Sequence, residues 1–288
     1  MAIDVGAVIL ASALLSVALA AALWTTTNNP VADRLLSGAL LVLAGMMSVY
    51  SLGWTGRVEV PPALAFAPFN LPLALGPLLL GYVSALATGR GVARPFLHFA
   101  PAGAHFIYLC AALALPGALR VAWKDGVHDD VVKPIIEAAT LASLAGYAFA
   151  GLRLLGRYRL WLERERSDAD RYAALWIARL LCALLATLAG LGLVRLYTWF
   201  VGELESGFLF LWFAAFAAWL GVEGWRHSER RFPTMSDAPA AAIDAAPSPR
   251  APSGPDWSTL GENWRARTQA EGWWREQDLT LAALAARL

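Results

Sequence analysis

The residues best suited to chemistry in this sequence are few, and they lie in or beside long apolar runs. Arg195 and Glu137 carry opposite charges near the ends of two such runs, and His105 lies deeper in a third. Charged and polar groups at membrane depth are costly, so they normally pair, face a cavity or snorkel to the surface. We predict a ligand site formed by Arg195, Glu137 and His105. A structural ion pair, snorkelling or simple packing are the alternatives.

No motif of an enzyme or a metal site accompanies these residues. The chain has no glycine-rich phosphate loop, no His-Glu-x-x-His and no Gly-x-Ser-x-Gly. His98 and His105 are separated by two helical turns, about 10 Å, which is too far for one metal ion without further ligands. Cys110 and Cys182 are interpreted as packing residues. We therefore expect a protein that is not an enzyme and that uses no metal or other cofactor.

The composition is that of a membrane protein. Hydrophobic residues make up 58% of the 288 residues and charged residues only 16%. Soluble domains have about 45–50% and about 25%, respectively. The net charge of +1 is too small for binding of nucleic acid by the whole chain. The high apolar content also excludes disorder for most of the chain. These numbers predict a polytopic membrane protein with a polar appendage.

Seven apolar runs are long enough to cross a bilayer as helices, which takes about 20 residues. Helices are the expected structure because backbone groups cannot remain unpaired in lipid. The first run lacks preceding positive charge and is longer than the apolar part of a signal peptide, so we predict that it is retained. The runs are residues 5–24, 31–52, 69–87, 96–115, 135–155, 173–199 and 208–225.

Three residues that disturb helices fall in the third run, namely Pro72, Gly76 and Pro77. Proline frees backbone carbonyl groups and can kink a helix or act as its hinge. We predict a hinge at this position, with a static kink as the alternative.

The distribution of positive charge predicts the orientation. With seven spans, the two termini lie on opposite sides of the membrane. The segments that face the cytoplasm if the N-terminus is outside hold about threefold more arginine and lysine than the opposite segments. We predict an outside N-terminus and a cytoplasmic C-terminus. The longest outer segment, residues 116–134, is expected to be a solvated connector, with a ligand or partner surface as the alternative.

The chain changes character after the seventh run. We expect a transmembrane domain at 1–228, a flexible linker rich in proline and alanine at 229–256, and two short helices within 257–288. Thr280 is a good N-cap for the second of them. An apolar stripe follows and then stops without a glycine cap, so we expect the natural chain to continue. The stripe consists of Leu281, Leu284, Ala285 and Leu288.

Residues 278–288, Asp-Leu-Thr-Leu-Ala-Ala-Leu-Ala-Ala-Arg-Leu, resemble the opening of the DNA-binding domain of AraC-type transcription regulators. The preceding Gly-Trp-Trp-Arg-Glu at 272–276 is similar to the lead-in helix of members that carry a membrane domain. Those members also have about seven apolar helices. Gly-Pro-Leu-Leu-Leu-Gly-Tyr at 76–82 and His-Phe-Ala-Pro at 98–101 resemble the openings of their third and fourth helices.

This resemblance implies an all-α membrane sensor of a one-component regulator in the bacterial inner membrane. Such a sensor passes an outer or intramembrane signal to a cytoplasmic DNA-binding domain. The turn, the recognition helix and the second helix-turn-helix are missing, and base edges are read by the recognition helix. DNA is therefore expected as a partner only through the absent part. The other expected partners are the lipid bilayer and an unknown small-molecule or protein signal, and a homodimer stays open. The alternatives are a seven-helix receptor or interaction module without DNA binding, and a small transporter.

Overall fold

The computed structural model describes residues 5–54, 62–165, 172, 174–201, 207–235 and 257–272. All regular secondary structure in this part of the chain is helical. The chain divides into two compact units, Met1–Ala238 and Pro239–Leu288. The helices are α1 Val5–Trp24, α2 Pro30–Trp54, α3 Leu75–Thr88, α4 Pro95–Leu113, α5 Gly117–Trp123, α6 Lys133–Glu165, α7 Leu175–Val201, α8 Gly207–Ser228 and, in the second unit, α9 Trp257–Ala270.

The core of the first unit lies between helices that pack against one another. Helix α2 packs against α1, α3 and α8, and α6 packs against α3 and α7. Leu36, Leu40 and Leu43 are fully buried at the centre of α2. Other large apolar side chains point outward, such as Leu14 on α1 at 64% exposure and Ile107 on α4 at 68%. A helix that is apolar on both its packed and its exposed faces is typical of a membrane span.

Each of the seven predicted apolar runs contains a helix. Four helical stretches within the described residues are long and apolar enough to cross a membrane. Two further apolar helices, Pro72–Thr88 and Leu175–Gly190, are shorter. The structure therefore supports a membrane protein with several spanning helices, while the count of seven spans stays a prediction. The four stretches are Val5–Trp24, Pro30–Val49, Pro95–Leu113 and a part of Gly117–Glu165.

The proline residues of the third run lie at the start of a helix and not in its middle. Pro72 opens a short 3-10 turn, Pro72–Ala74, and α3 begins at Leu75. Gly76 and Pro77 are thus in the first turn, where backbone N–H groups have no helical partner and proline costs little. Gly76 also allows close packing, because an added Cβ would lie 2.6 Å from Cδ2 of Tyr147. Motion of this segment as a hinge stays a prediction.

The segment at 116–134, expected to be a solvated connector, is helical, and most of its residues are exposed. Helix α5, a π-helix at Lys124–Val132 and α6 form one continuous helical stretch, Gly117–Glu165. The continuous helix satisfies the backbone groups locally in spite of Gly126 and three aspartates. Long π-helices are rare, and π-type turns occur frequently at functional sites.

Replacing Gly45 by alanine is expected to destabilise the first unit by about 1–3 kcal/mol, the usual cost of overpacking. Gly45 lies on α2, and an added Cβ would overlap the backbone oxygen of Phe69, which cannot rotate away. Thermal unfolding in detergent measures the change. The matched control is Gly146→Ala on α6, where a Cβ meets nothing within 4 Å. Equal melting temperatures for the two variants would contradict this account of the α2 contact.

The second unit contributes one described helix, α9. Its side chains from 261 to 270 are mostly exposed, and Gly272 follows with a positive φ of 68°. This helix begins at Trp257, as the sequence predicts. Most of the linker, residues 236–256, lies outside the described residues. So do Thr280, Leu281, Leu284, Ala285 and Leu288, the residues that carry the resemblance to a DNA-binding domain.

Candidate functional site

One polar cluster lies where the chain leaves the first unit. We call residues 228–235, which follow α8, the exit segment. Asn28 lies in the connection between α1 and α2. Its side-chain nitrogen Nδ2 donates to the carbonyl oxygens of Ser228 at 3.2 Å and Glu229 at 2.9 Å. The last carbonyl groups of a helix lack helical partners. Asn28 therefore caps the C-terminal end of α8 from a loop 200 residues away in the sequence.

Asn29 holds the next part of the exit segment through both atoms of its amide. Its nitrogen donates to the Arg230 carbonyl at 2.7 Å, and its oxygen accepts from the backbone N–H of Phe232 at 3.2 Å. The phenol of Tyr158 on α6 then donates to the Pro233 carbonyl at 2.8 Å. Three side chains from two parts of the bundle thus fix the backbone of the exit segment.

The loop that carries the two asparagines is itself held firmly on α2. The hydroxyl oxygen of Thr26 lies 2.5 Å from a carboxylate oxygen of Asp33 and 2.8 Å from the Leu23 carbonyl oxygen, and its one hydrogen bonds to either of them. Asp33 is only 2% exposed, and its backbone N–H donates to the Asn29 carbonyl at 2.9 Å. The exit segment therefore rests on an ordered part of the bundle and not on a loose loop.

An aromatic stack connects three helices near the same end of the unit. The Trp176 ring on α7 stacks on His227 in the last turn of α8, with centroids 5.1 Å apart and an angle of 21°. Trp176 also contacts Tyr82 of α3, with the two ring centroids 6.1 Å apart. His227 directly precedes the exit segment, so the stack couples α3 and α7 to the point where the chain leaves the bundle.

A second cluster lies toward the C-terminal end of α4. We call it the outer histidine cluster, after the side of the membrane on which the distribution of positive charge predicts it. It consists of Phe66, His105, Tyr108, Trp123 and His128, from the 3-10 turn Pro62–Phe66, α4, α5 and the π-helix. The indole nitrogen of Trp123 donates to the Tyr108 oxygen at 3.1 Å. The same oxygen lies 2.9 Å from Nδ1 of His128. These two bonds join α4, α5 and the π-helix.

The rings of the outer histidine cluster are closely packed and shielded. Phe66 is fully buried and meets His128 edge-on at a centroid distance of 4.8 Å. The ring centroid of Tyr108 lies 6.4 Å from that of His105 and 5.9 Å from that of His128. The plane of the Tyr108 ring makes an angle of 15° with each histidine ring. Both histidines are less than 10% exposed. Nδ1 of His105 has no hydrogen-bond partner within the described residues.

The charges around His128 belong mainly to the polar π-helix, which precedes the apolar run that begins at residue 135. Burial lowers the pKa of His128, Asp129 opposes this shift, and Lys133 and Lys124 add to it. Lys124 makes ion pairs with Asp129 at 2.8 Å and Asp125 at 3.1 Å. These bonds raise the pKa of Lys124, and the bond from Lys124 lowers the pKa of Asp129. The carboxylate of Asp129, next to His128 in the sequence, is thus already paired with Lys124.

The predicted ligand residues are placed differently. His105 joins Tyr108 and His128, whereas Glu137 is a half-buried residue on α6. Arg195 lies on α7, and its side chain is outside the described residues. Sequence reasoning missed Tyr108, although it lies one helical turn after His105 on the same face. It also missed His128, because its partner is 20 residues away and its segment was interpreted as a loop.

Cys110 and Cys182 are free thiols. Within the described residues no group of three or more His, Cys, Asp or Glu side chains could hold a metal ion.

Comparison with known proteins adds no relative. No protein-family model, curated protein or solved structure matches the chain. The functional interpretation therefore depends on the residues and contacts described above.

Proposed function

We propose that this chain is the membrane-embedded sensor portion of a one-component AraC-type transcription regulator. A signal at the outer face or within the bilayer changes the packing of the helices, and the change passes through the exit segment to the C-terminal part. The observation that carries this proposal is the attachment of the exit segment to the bundle through Asn28, Asn29 and Tyr158.

The attachment makes the exit segment sensitive to the arrangement of the helices. It begins directly at the end of α8, while its hydrogen-bond partners belong to the α1–α2 connection and to α6. A shift of α8 against α1, or of α6 against α8, must break or rebuild these bonds. A signal can drive such a shift only if it binds the two arrangements with different affinity. The exit segment is thus the structural element through which a change in helix packing reaches the C-terminal part of the chain.

The same proposal includes seven spans, an outside N-terminus and a cytoplasmic C-terminus in the bacterial inner membrane. Support comes from positive charge at the end of the unit that holds the exit segment. Arg90, Arg226, Arg230 and Arg231 are all exposed there, and arginine in short loops favours the cytoplasmic side. A DNA reader must also be cytoplasmic. DNA is contacted only through residues beyond 288, and pairing of two chains would match the paired half-sites of such readers.

A transcriptional reporter tests this function in cells. A DNA-binding domain of known operator is fused after residue 288 of the full chain. The double variant Asn28→Ala, Asn29→Ala is expected to change operator-dependent output about fivefold or more, the lower limit of a typical allosteric coupling of about 1–3 kcal/mol. The output is read at equal amounts of protein in the membrane.

The matched control is Asn70→Ala, a half-buried asparagine far from the exit segment in sequence. It is expected to leave the output at the wild-type level. Equal output from the double variant and the wild type would contradict transmission through the exit segment.

As a second arm, the reading frame past codon 288 is expected to encode a glycine-containing turn and a basic helix. A stop codon there favours a receptor module without a DNA reader.

A further inference from the structure

The outer histidine cluster contains a hydrogen-bond chain whose direction is set by chemistry. The Trp123 indole is only a donor, so the Tyr108 oxygen accepts from it at 3.1 Å. The O–H of Tyr108 is then satisfied by donating to Nδ1 of His128, 2.9 Å away. Nδ1 must therefore carry no hydrogen. The observed arrangement selects the neutral imidazole of His128 with its hydrogen on Nε2.

A proton on His128 occupies Nδ1 and so removes the acceptor of the Tyr108 O–H. The Tyr108 oxygen can then accept from Nδ1–H, but its own hydrogen must turn away from His128. The proton also places a positive charge in a site that is 8% exposed and covered by Phe66. The buried charge and the Tyr108 O–H left without its acceptor both favour separation of the π-helix from α4.

The charges around His128 do not remove this cost. On its own element, Asp129 attracts the protonated form but is bonded to Lys124, which also bonds Asp125. From α6, Lys133 repels it. From α4, the neighbouring ionisable groups are His105 and Tyr108.

The remaining elements bring no compensating acid within the described residues. The 3-10 turn Pro62–Phe66 contributes no ionisable side chain. From α5, Arg120 is directed to the Leu113 carbonyl at 2.8 Å. Protonation is therefore opposed mainly by burial among apolar rings; Lys133 and Lys124 add repulsion, and Asp129 supplies the main attraction.

We propose that the outer histidine cluster is a proton-binding switch in which protonation of His128 removes the acceptor of the Tyr108 hydroxyl, places a charge beneath Phe66 and releases the π-helix from α4. The stimulus of the sensor is then acidification on the outer side, an assignment that rests on the proposed function. The switch itself is a property of the cluster and is measurable without DNA or transcription.

Hydrogen exchange of the full chain in lipid nanodiscs tests the switch. Exchange in residues 117–133 is followed from about pH 7.5 to pH 5, around the ordinary histidine pKa of about 6.5. It is expressed as protection factors, which correct for intrinsic exchange rates. Protection is expected to fall by up to about tenfold, the limiting effect of one group whose pKa is one unit lower in the closed form than in the open form. Constant protection would overturn the proposal.

Two variants assign the effect to His128. In His128→Gln the amide oxygen accepts from Tyr108 but cannot be protonated at these pH values, so the protection is expected to persist to pH 5. An undiminished fall in this variant would assign the effect to carboxylates and overturn the proposal. Tyr108→Phe removes the donor that favours the neutral imidazole, which brings the pKa of His128 in the closed form nearer to that in the open form. Protection is therefore expected to be lower at pH 7.5 and to fall less toward pH 5 than in the wild type. An undiminished fall would also overturn the proposal.

His98→Gln is the matched control. Nδ1 of His98 also lies 2.9 Å from a tyrosine oxygen, that of Tyr147, but at the other end of α4. This variant is expected to keep the wild-type pH dependence in residues 117–133. Loss of the pH dependence in His98→Gln would overturn the assignment to the outer cluster. Failure of the reporter with an intact pH response would instead refute the regulator function and leave the switch standing.

Discussion

Replacing Phe66 by alanine is expected to lower the free energy of unfolding by about 3–5 kcal/mol, the usual cost of truncating a buried aromatic residue. Phe66 is fully buried and packs against Leu109 and Ala112 of α4 as well as against His128. Few other apolar side chains are buried in this small cluster, so few neighbours can move in to fill the cavity left by the ring. Chemical denaturation in detergent measures the loss.

The control for this prediction is Phe106→Ala. Phe106 lies on α4 close to the same cluster but is 43% exposed, so its truncation leaves no enclosed cavity. We expect a loss of less than about 1 kcal/mol for this surface position. A loss in Phe66→Ala no larger than that in Phe106→Ala would contradict the role of Phe66 as the cover of the outer histidine cluster.

The same substitution has a consequence for pH dependence. Burial is the main cause that lowers the pKa of His128, and part of that burial is the Phe66 ring. In the wild type the neutral imidazole contributes stability in full above the ordinary histidine pKa. The contribution is lost as the pH falls through the lower pKa of the folded state. In Phe66→Ala, water reaches His128, so its pKa in the folded state moves back toward the ordinary value. The fall in protection of residues 117–133 between pH 7.5 and pH 5 is therefore expected to be smaller than in the wild type.

Replacing Trp176 by alanine is the second change with a large expected effect, again about 3–5 kcal/mol. The ring lies between His227 and Tyr82 and is only 7% exposed. Its removal detaches α7 from α3 and α8 at the end where the chain leaves the bundle. Because His227 directly precedes the exit segment, faster hydrogen exchange at Phe232 is expected together with the loss of stability.

Two further variants distinguish loss of the ring from loss of the indole nitrogen. Trp176→Phe keeps a stacking ring and removes an N–H that has no hydrogen-bond partner within the described residues. We therefore expect it to cost clearly less than Trp176→Ala. Trp219→Ala on α8 removes an indole that is 37% exposed and is expected to leave exchange at Phe232 unchanged. Equal exchange at Phe232 in Trp176→Ala and wild type would contradict the coupling.

The amino-acid sequence by itself determined where the long apolar helices lie, although not the helices between 117 and 132. The first predicted run, 5–24, coincides with α1, and the last, 208–225, lies within α8. The reason is local, because an apolar segment must satisfy its backbone groups within itself. Proline at 72 and 77 was also correctly interpreted as a disturbance of the third run. The disturbance was expected inside a helix, as a hinge or kink. It lies instead at the start of α3, where Pro72–Ala74 form a 3-10 turn and Pro77 is in the first helical turn.

The tertiary structure alone decided which polar residues meet. Asn28 and Asn29 resemble ordinary loop residues until α1 and α8 become neighbours and bring the exit segment to them. His128 became a partner of Tyr108 because a π-helix, and not a loop, follows α5. Hydropathy and helical periodicity describe a residue and its near neighbours. Pairings across 20 or 200 residues arise only from the packing of whole helices, and both polar clusters are pairings of that kind.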